Sequence, residues 1–197
     1  MRKPTVPHRD LMREQLAHQA ARLMAEDGVT DFAFAKRKAA KQLGAFETQH
    51  LPSNEEVEAA LHSYHALFQA EDHPRNLRLL RQEALDAMRQ LEPFHPYLTG
   101  SVLSGSAGID SDINLILFSD DAKAVLLFLL KHNLQFEDGA WRAKIGGREE
   151  TVPSYTLTGA SGTLTHLIVL PENARYSGSR HPETHADIPA VEALLAA

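Results

Sequence analysis

The segment from Gly100 to Leu115, GSVLSGSAGIDSDINL, combines residue types that can hold a phosphorylated ligand and a metal ion. Its small residues allow the backbone to approach a phosphate closely, and its hydroxyl groups can donate hydrogen bonds. Its carboxylates and amide supply the oxygen atoms that hard divalent cations prefer. The candidate phosphate-binding residues are Gly100, Ser101, Ser104 and Gly105, and the candidate metal ligands are Asp110, Asp112 and Asn114.

The end of this segment alternates polar and apolar residues, which is typical of a strand with one buried face. Ile113 and Leu115 would face the core, and Asp112 and Asn114 would lie on the other face. Asp110 joins that face if the chain is already extended there. The sequence therefore leaves two ligand sets open, in which Asp112 is accompanied either by Asp110 or by Asn114.

The segment resembles the signature of the nucleotidyltransferase superfamily, which includes DNA polymerase beta, minimal nucleotidyltransferases and antibiotic-modifying adenylyltransferases. The family pattern is a Gly-Ser pair, a loop, and then Asp, an apolar residue and a second Asp. Here Gly100 and Ser101 form the pair, Asp112 is the first acid, and Asn114 takes the place of the second. The family's third acid lies on a later strand, and TLTHLIVL matches that strand with His166 at the expected position. The resemblance covers residues 97 to 170.

The resemblance implies a site in which two Mg²⁺ or Mn²⁺ ions align a nucleoside triphosphate. Gly100 and Ser101 would hold the phosphates, Asp112 would bind the metal, and Asn114 would be a secondary oxygen ligand. His166 would lie where the third acid serves as ligand or general base. Asparagine and neutral histidine remove two negative charges from such a site.

Three functions stay open on these residues. The first is binding of a nucleoside triphosphate with a divalent cation, with possible nucleotidyl transfer to a small molecule, a protein or an RNA end. The second is a catalytically inactive nucleotide-binding or regulatory module that retains the fold. The third is a protein-interaction module that acts through the helical half.

Composition narrows the classes of protein further. The chain of 197 residues has a formal net charge of −6 and no cysteine, so disulfides and thiolate chemistry are excluded. The acidic excess lies after residue 90, which argues against extensive nucleic-acid binding. Apolar runs fall short of the roughly 20 residues of a membrane span, so we expect a cytoplasmic protein with no membrane partner.

Apolar periodicity predicts helices in residues 1–92 and an α+β domain in residues 93–197. Ser53 and Glu56 have the spacing of a capping box. Arg75, Arg78 and Arg81 are interpreted as an exposed helix face, with a position at a cleft entrance as the alternative. The predicted helices are Arg9–Asp27, Asp31–Leu43, Ser53–Ala70 and Pro74–Leu91. The helical leader ARLMAEDGVTDFAFAKRKAAKQLG resembles that of a bacterial group that carries it ahead of a nucleotidyltransferase-like region.

After Pro93 the pattern favours strands. The predicted strands are PYLTGS, INLILF, LQFED, WRAKI, VPSYTLT and TLTHLIVL. AKAVLLFLLKH is apolar on most sides, so we expect a helix covered on most sides that backs the sheet, and DIPAVEALLA predicts a closing helix. The expected fold class is α+β: an N-terminal helical bundle, then a nucleotidyltransferase-like, mixed and mainly antiparallel sheet with helices on one face.

Overall fold

The structure is a computed structural model that describes residues 8–45, 51–68, 72–145, 147–159, 161–177 and 184–196. Its contacts divide the chain into two compact units, Met1–Asn76 and Leu77–Ala197. That division falls inside a helix, Asp72–Gln90, whose larger part belongs to the second unit. The boundary expected near residue 92 remains a prediction about domain organisation.

The first unit is helical. Its core consists of residues such as Leu16, Ala20, Ala39 and Val57, all at most 1% exposed. Alanine at several of these positions allows the helix backbones to approach one another closely. The helices are α1 (His8–Asp27), α2 (Phe32–Gln42), α3 (Asn54–Phe68) and α4 (Asp72–Gln90), of which α4 continues into the second unit.

The predicted capping box at the start of α3 is present. The Ser53 backbone N–H donates to Glu56 Oε2 (2.6 Å), and the Glu56 backbone N–H donates to Ser53 Oγ (3.1 Å). Glu56 also accepts from the Arg13 guanidinium of α1 at 2.7 Å. These donors, with Arg13 the strongest, lower the pKa of Glu56 to about 2. One carboxylate thus both caps α3 and bonds it to α1.

The second unit contains a five-stranded sheet with the order β1-β2-β5-β4-β3. Only β2 and β5 run parallel, and the other neighbouring pairs are antiparallel. The strands are β1 (Tyr97–Thr99), β2 (Ile113–Phe118), β3 (Phe136–Ile145), β4 (Arg148–Thr158) and β5 (Leu164–Leu170). The helices are α5 (Ser101–Ser104), α6 (Ala122–Lys131), α7 (Ala174–Ser177) and α8 (Ile188–Ala196). The α+β class with a mixed, mainly antiparallel sheet is confirmed.

One face of the sheet, the closed face, carries the core of this unit. Leu115 and Leu167 on the parallel central strands are fully buried. They belong to one cluster with Met88 of α4, Val125 of α6 and Val191 of α8. The opposite face, the open face, carries the residues that alternate with these. The helices therefore fix the position of the strands and leave the alternate side chains available for other contacts.

Two expectations about this unit were wrong. LQFED and WRAKI form one strand, β3, because Gly139 continues the pairing opposite Ser154. A β-carbon at Gly139 would lie 2.9 Å from Ser154 Oγ. Glycine is therefore needed here for close packing between the strands, and it does not form a turn. In α6 the side chains of Leu127 and Leu130 are 64% and 55% exposed, so that helix is not covered on most sides.

Three smaller differences concern helices. Residues after Gly100 form the single turn α5 where a loop was expected, and α4 begins before Pro74, which its first turn tolerates. Arg81, expected on an exposed face, is half-buried. Among the described residues, no helix has both the length and the apolarity to cross a bilayer.

The capping box gives a stability prediction. Ser53→Ala should lower the free energy of unfolding by about 1 kcal/mol, because it removes the side-chain acceptor of the Glu56 N–H. Urea unfolding followed by circular dichroism measures this. Ser63→Ala, in the same helix, removes an exposed hydroxyl bonded only to the Ala59 carbonyl and should cost much less. Equal losses in the two variants would contradict the capping role.

Candidate functional site

A row of polar side chains crosses the open face of the sheet from one edge to the other. Strand pairing places one polar residue of each strand beside the next. In spatial order the polar row is Thr99, Asn114, His166, Thr156 and Glu137. Asn114 lies between Ile113 and Leu115, which are fully buried on the closed face. The alternation predicted for β2 therefore holds, and the row collects residues from five strands at one level.

His166 of this row is the centre of a hydrogen-bonded chain that extends to Asp112, the residue before β2. Its Nε2 lies 3.2 Å from Asp112 Oδ2, and its Nδ1 lies 3.0 Å from Thr156 Oγ1. A carboxylate can only accept, so Nε2 carries a proton and donates to Asp112. In the neutral imidazole, Nδ1 then accepts from the Thr156 hydroxyl. The two partners fix both the tautomer and the ring orientation of His166.

Gly100 brings the Gly-Ser pair into contact with the polar row. Its backbone has φ 76° and ψ −155°, a conformation essentially restricted to glycine. A β-carbon there would lie 3.2 Å from Asn114 Nδ2, so the absent side chain leaves room for the amide. Thr99 pairs with Asn114 immediately before Gly100. The structure thus brings the motif residues Gly100, Asp112, Asn114 and His166 together.

Arg81 of α4 positions the turn that follows Gly100. Its Nε donates to the Val102 carbonyl (3.1 Å) and its Nη2 to the Leu103 carbonyl (3.0 Å). These carbonyls belong to α5, which is too short to satisfy its own C-terminal acceptors. Burial lowers the pKa of Arg81, and the guanidinium nevertheless stays charged. Arg81 is therefore a structural partner of the motif and not part of an exposed face.

Ser104, Gly105 and Asp110 lie away from this contact. Ser104 Oγ bonds to Ser106 Oγ at 3.0 Å, and the Gly105 N–H donates to the Ser101 carbonyl at 2.9 Å. Both residues lie at the C-terminal end of α5. Asp110 is exposed and lies in a turn between Gly108 and Ser111. The chain is not extended at Asp110, so the alternation argument that would pair it with Asp112 does not apply.

Two polar groups beside Gly100 keep hydrogen-bonding capacity. The Ser101 hydroxyl and the Asn114 amide are both half-buried, and neither bonds to another group in the described part of the chain. Half-buried polar groups of this kind are normally satisfied by water or by a ligand. They can donate to phosphate, sugar or base oxygens, and the amide can also accept.

The donors gathered beside Gly100, namely Asp112, Asn114 and His166, do not fit a two-ion centre. Such a centre is built from several carboxylates, and here Asp112 is accompanied by an amide and an imidazole. One Asp112 oxygen already accepts a hydrogen bond from His166. Within the described ranges, no group of three or more His, Asp or Glu residues could hold a metal ion. The Mg²⁺ or Mn²⁺ expected from the resemblance therefore lacks a matching ligand set.

Thr156 and Trp141 also belong to this surface, and sequence reasoning missed both. The Trp141 ring centroid lies 6.1 Å from that of His166. Thr156 is the register partner of His166, and Trp141 is two strands away on β3. Their local signals were a threonine within VPSYTLT and the single tryptophan of the chain. Neither signal points to the site until the sheet order is known.

Comparison with known proteins gives only distant matches. No protein-family model matches the chain. No curated protein matches its sequence. One similar solved structure is Cid1, described as having RNA terminal uridylyl transferase activity, at 18% identity and a TM-score of 0.32. Another is a cytoplasmic RNA terminal U-transferase, at 22% identity and a TM-score of 0.27.

These matches are partial in both directions. The first covers 54% of this chain and 32% of Cid1, and the second covers 64% of this chain and 31% of the U-transferase. This chain thus matches about a third of each of those proteins. At these TM-scores the likeness defines neither a family nor an activity for this chain.

The close approach at Gly100 is testable by substitution. Gly100→Ala should cost about 1–3 kcal/mol of unfolding free energy, because alanine resists the positive φ and its β-carbon crowds Asn114. Gly108→Ala, in the same loop region, is the matched control, since a β-carbon there meets no atom within 4 Å. Denaturant unfolding measures both. A Gly108 variant as unstable as the Gly100 variant would show that the contact with Asn114 is unimportant.

Proposed function

We propose that this chain is a nucleotide-binding module in which the Asp112–His166 pair takes the place of the nucleotidyltransferase family's acidic metal centre. The observation that carries the proposal is a pair of half-buried polar groups beside Gly100, the Ser101 hydroxyl and the Asn114 amide, which have no hydrogen-bond partner among the described residues. The sequence resemblance assigns Ser101 to the phosphates, and it places Asn114 at the position of a metal-binding acid in the same site.

Each residue of the site has a distinct role in this proposal. Gly100 presents no side chain, so a phosphate can approach the backbone. The Ser101 hydroxyl and the Asn114 amide donate to ligand oxygens. Asp112 and Thr156 hold the imidazole of His166 in place beside Asn114. Binding through neutral donors requires no divalent cation.

We further propose that the module binds its ligand without transferring a nucleotidyl group. In the family, the carboxylates hold the ions that stabilise charge on the attacking and leaving oxygens. Asn114 and His166 replace two of those three acids. The remaining carboxylate, Asp112, is hydrogen-bonded to His166. In this proposal the module therefore binds the nucleotide but lacks the acids that would support nucleotidyl transfer.

Thermal unfolding tests the proposal. Each of the four nucleoside triphosphates is added in EDTA and, separately, with excess Mg²⁺. At about 100 times Kd, the preferred triphosphate should raise Tm by roughly 5 °C or more, and it should do so in EDTA. Incubation with labelled triphosphate and candidate acceptors (small molecules, protein and RNA ends) should leave the label untransferred.

Matched variants make the test specific to the site. Ser101→Ala and Asn114→Ala should reduce the ligand-induced rise in Tm, each compared with its own ligand-free protein. Ser119→Ala removes a hydroxyl after the opposite end of β2 and should keep the full rise. A rise that appears only with Mg²⁺, or label transferred to an acceptor, contradicts the metal-independent module. No rise with any nucleotide rejects nucleotide binding.

A further inference from the structure

Trp141 forms an exposed aromatic surface beside His166 of the polar row. Its side chain is 39% exposed, and it is the only tryptophan in the chain. The indole is tilted 37° from the imidazole of His166, at a centroid distance of 6.1 Å. Trp141 pairs with buried Val152 on the same face that carries Thr156. An aromatic face is therefore placed directly beside hydrogen-bonding side chains.

Small neighbours give the indole its position across the sheet. On the open face, Trp141 is flanked along β3 by Gly139 and Ala143. Across the ladder, Gly139 pairs with Ser154, whose Oγ would lie 2.9 Å from a β-carbon at Gly139. Gly139, Ala143 and Ser154 thus place little side-chain bulk around the indole, and its centroid lies 6.1 Å from that of His166. The ring can therefore extend from β3 over β4 towards β5.

The distance from this aromatic surface to Gly100 suits one elongated ligand. The indole reaches His166 on β5, and Gly100 follows β1, two strands further along the sheet. Neighbouring strands are about 4.8 Å apart, so roughly 10 Å separate the strand of His166 from that of Gly100. The 6.1 Å between the indole and the imidazole of His166 adds to this span. The ends differ in chemistry: an aromatic face lies at one, and a bare backbone with a hydroxyl and an amide lies at the other.

We propose that Trp141 is the stacking surface for the base of the nucleotide whose phosphates lie at Gly100 and Ser101. This inference rests on the proposed function and adds the orientation of the ligand. Stacking on an indole tolerates every base, because each has a π-face. Base identity is thus distinguished by hydrogen bonds in the polar row, and the stacking contact supplies affinity common to all nucleotides.

The single tryptophan makes the contact directly observable. Fluorescence is titrated with ATP, with adenosine, and with tripolyphosphate, which has no base. ATP and adenosine should quench the emission of Trp141 in a saturable manner. Tripolyphosphate should leave the emission unchanged and should shift the ATP titration to higher concentration by competition. Quenching by tripolyphosphate equal to that by ATP would overturn the stacking contact.

Calorimetry with variants measures what the contact contributes. Trp141→Ala should weaken ATP binding by roughly 5- to 150-fold, the range expected for loss of one base–aromatic stack. Trp141→Phe keeps an aromatic face and should retain most of the affinity. Leu127→Ala removes an exposed side chain from α6, which packs on the closed face, and should bind as the unmodified protein does. Circular dichroism checks that each variant is folded.

The outcomes separate this inference from the function on which it rests. If ATP raises Tm but neither quenches Trp141 nor binds more weakly to Trp141→Ala, the base lies elsewhere and the stacking inference is wrong. The nucleotide-binding proposal then stands. If no nucleotide binds by fluorescence, calorimetry or thermal shift, both are wrong. Equal weakening in Trp141→Ala and Leu127→Ala also overturns the inference, because the effect would not be local.

Discussion

The hydrogen bond between His166 and Asp112 is the interaction on which the site depends. Both side chains are partly shielded from water, with 23% and 37% of their surfaces exposed, so each requires a partner. The bond joins the loop before β2 to the middle of β5, and Thr156 continues it to β4. One imidazole on the open face thereby bonds two strands and the loop before β2, and a carboxylate that could bind a cation is engaged.

The architecture around this bond explains why these residues meet. The closed face is a continuous apolar core, and its packing against α4, α6 and α8 fixes the register of β2 and β5. A one-residue shift between these strands would turn the polar residues of the row towards the core and the core residues towards the open face. The free-energy cost of burying polar groups prevents such a shift. Gly100 and Arg81 then hold the turn after β1 against Asn114. The site is a consequence of core packing on the other side of the sheet.

Local features were predictable from the sequence, and long-range pairings were not. INLILF gives the bounds of β2, and Ser53 with Glu56 gives the start of α3, because both patterns act over a few residues. The chain is 54 residues long between Asp112 and His166, so their bond depends on the parallel register, which no local pattern shows. The sequence left open whether Asp110 lies on the same face as Asp112. A turn closed by the hydrogen bond from the Ser111 N–H to the Gly108 carbonyl determines its position. The position of Trp141 near the site could be recognised only from the order of all five strands.

We propose that the Asp112–His166 pair stands where the acids of nucleotidyltransferases bind metal. The most direct test of this claim is calorimetric titration of Mn²⁺ into the unmodified protein and into the double variant Asn114→Asp, His166→Asp, which restores two carboxylates beside Asp112. The account predicts no measurable Mn²⁺ binding by the unmodified protein and saturable binding by the double variant. Mn²⁺ binding of equal affinity by both proteins would contradict it.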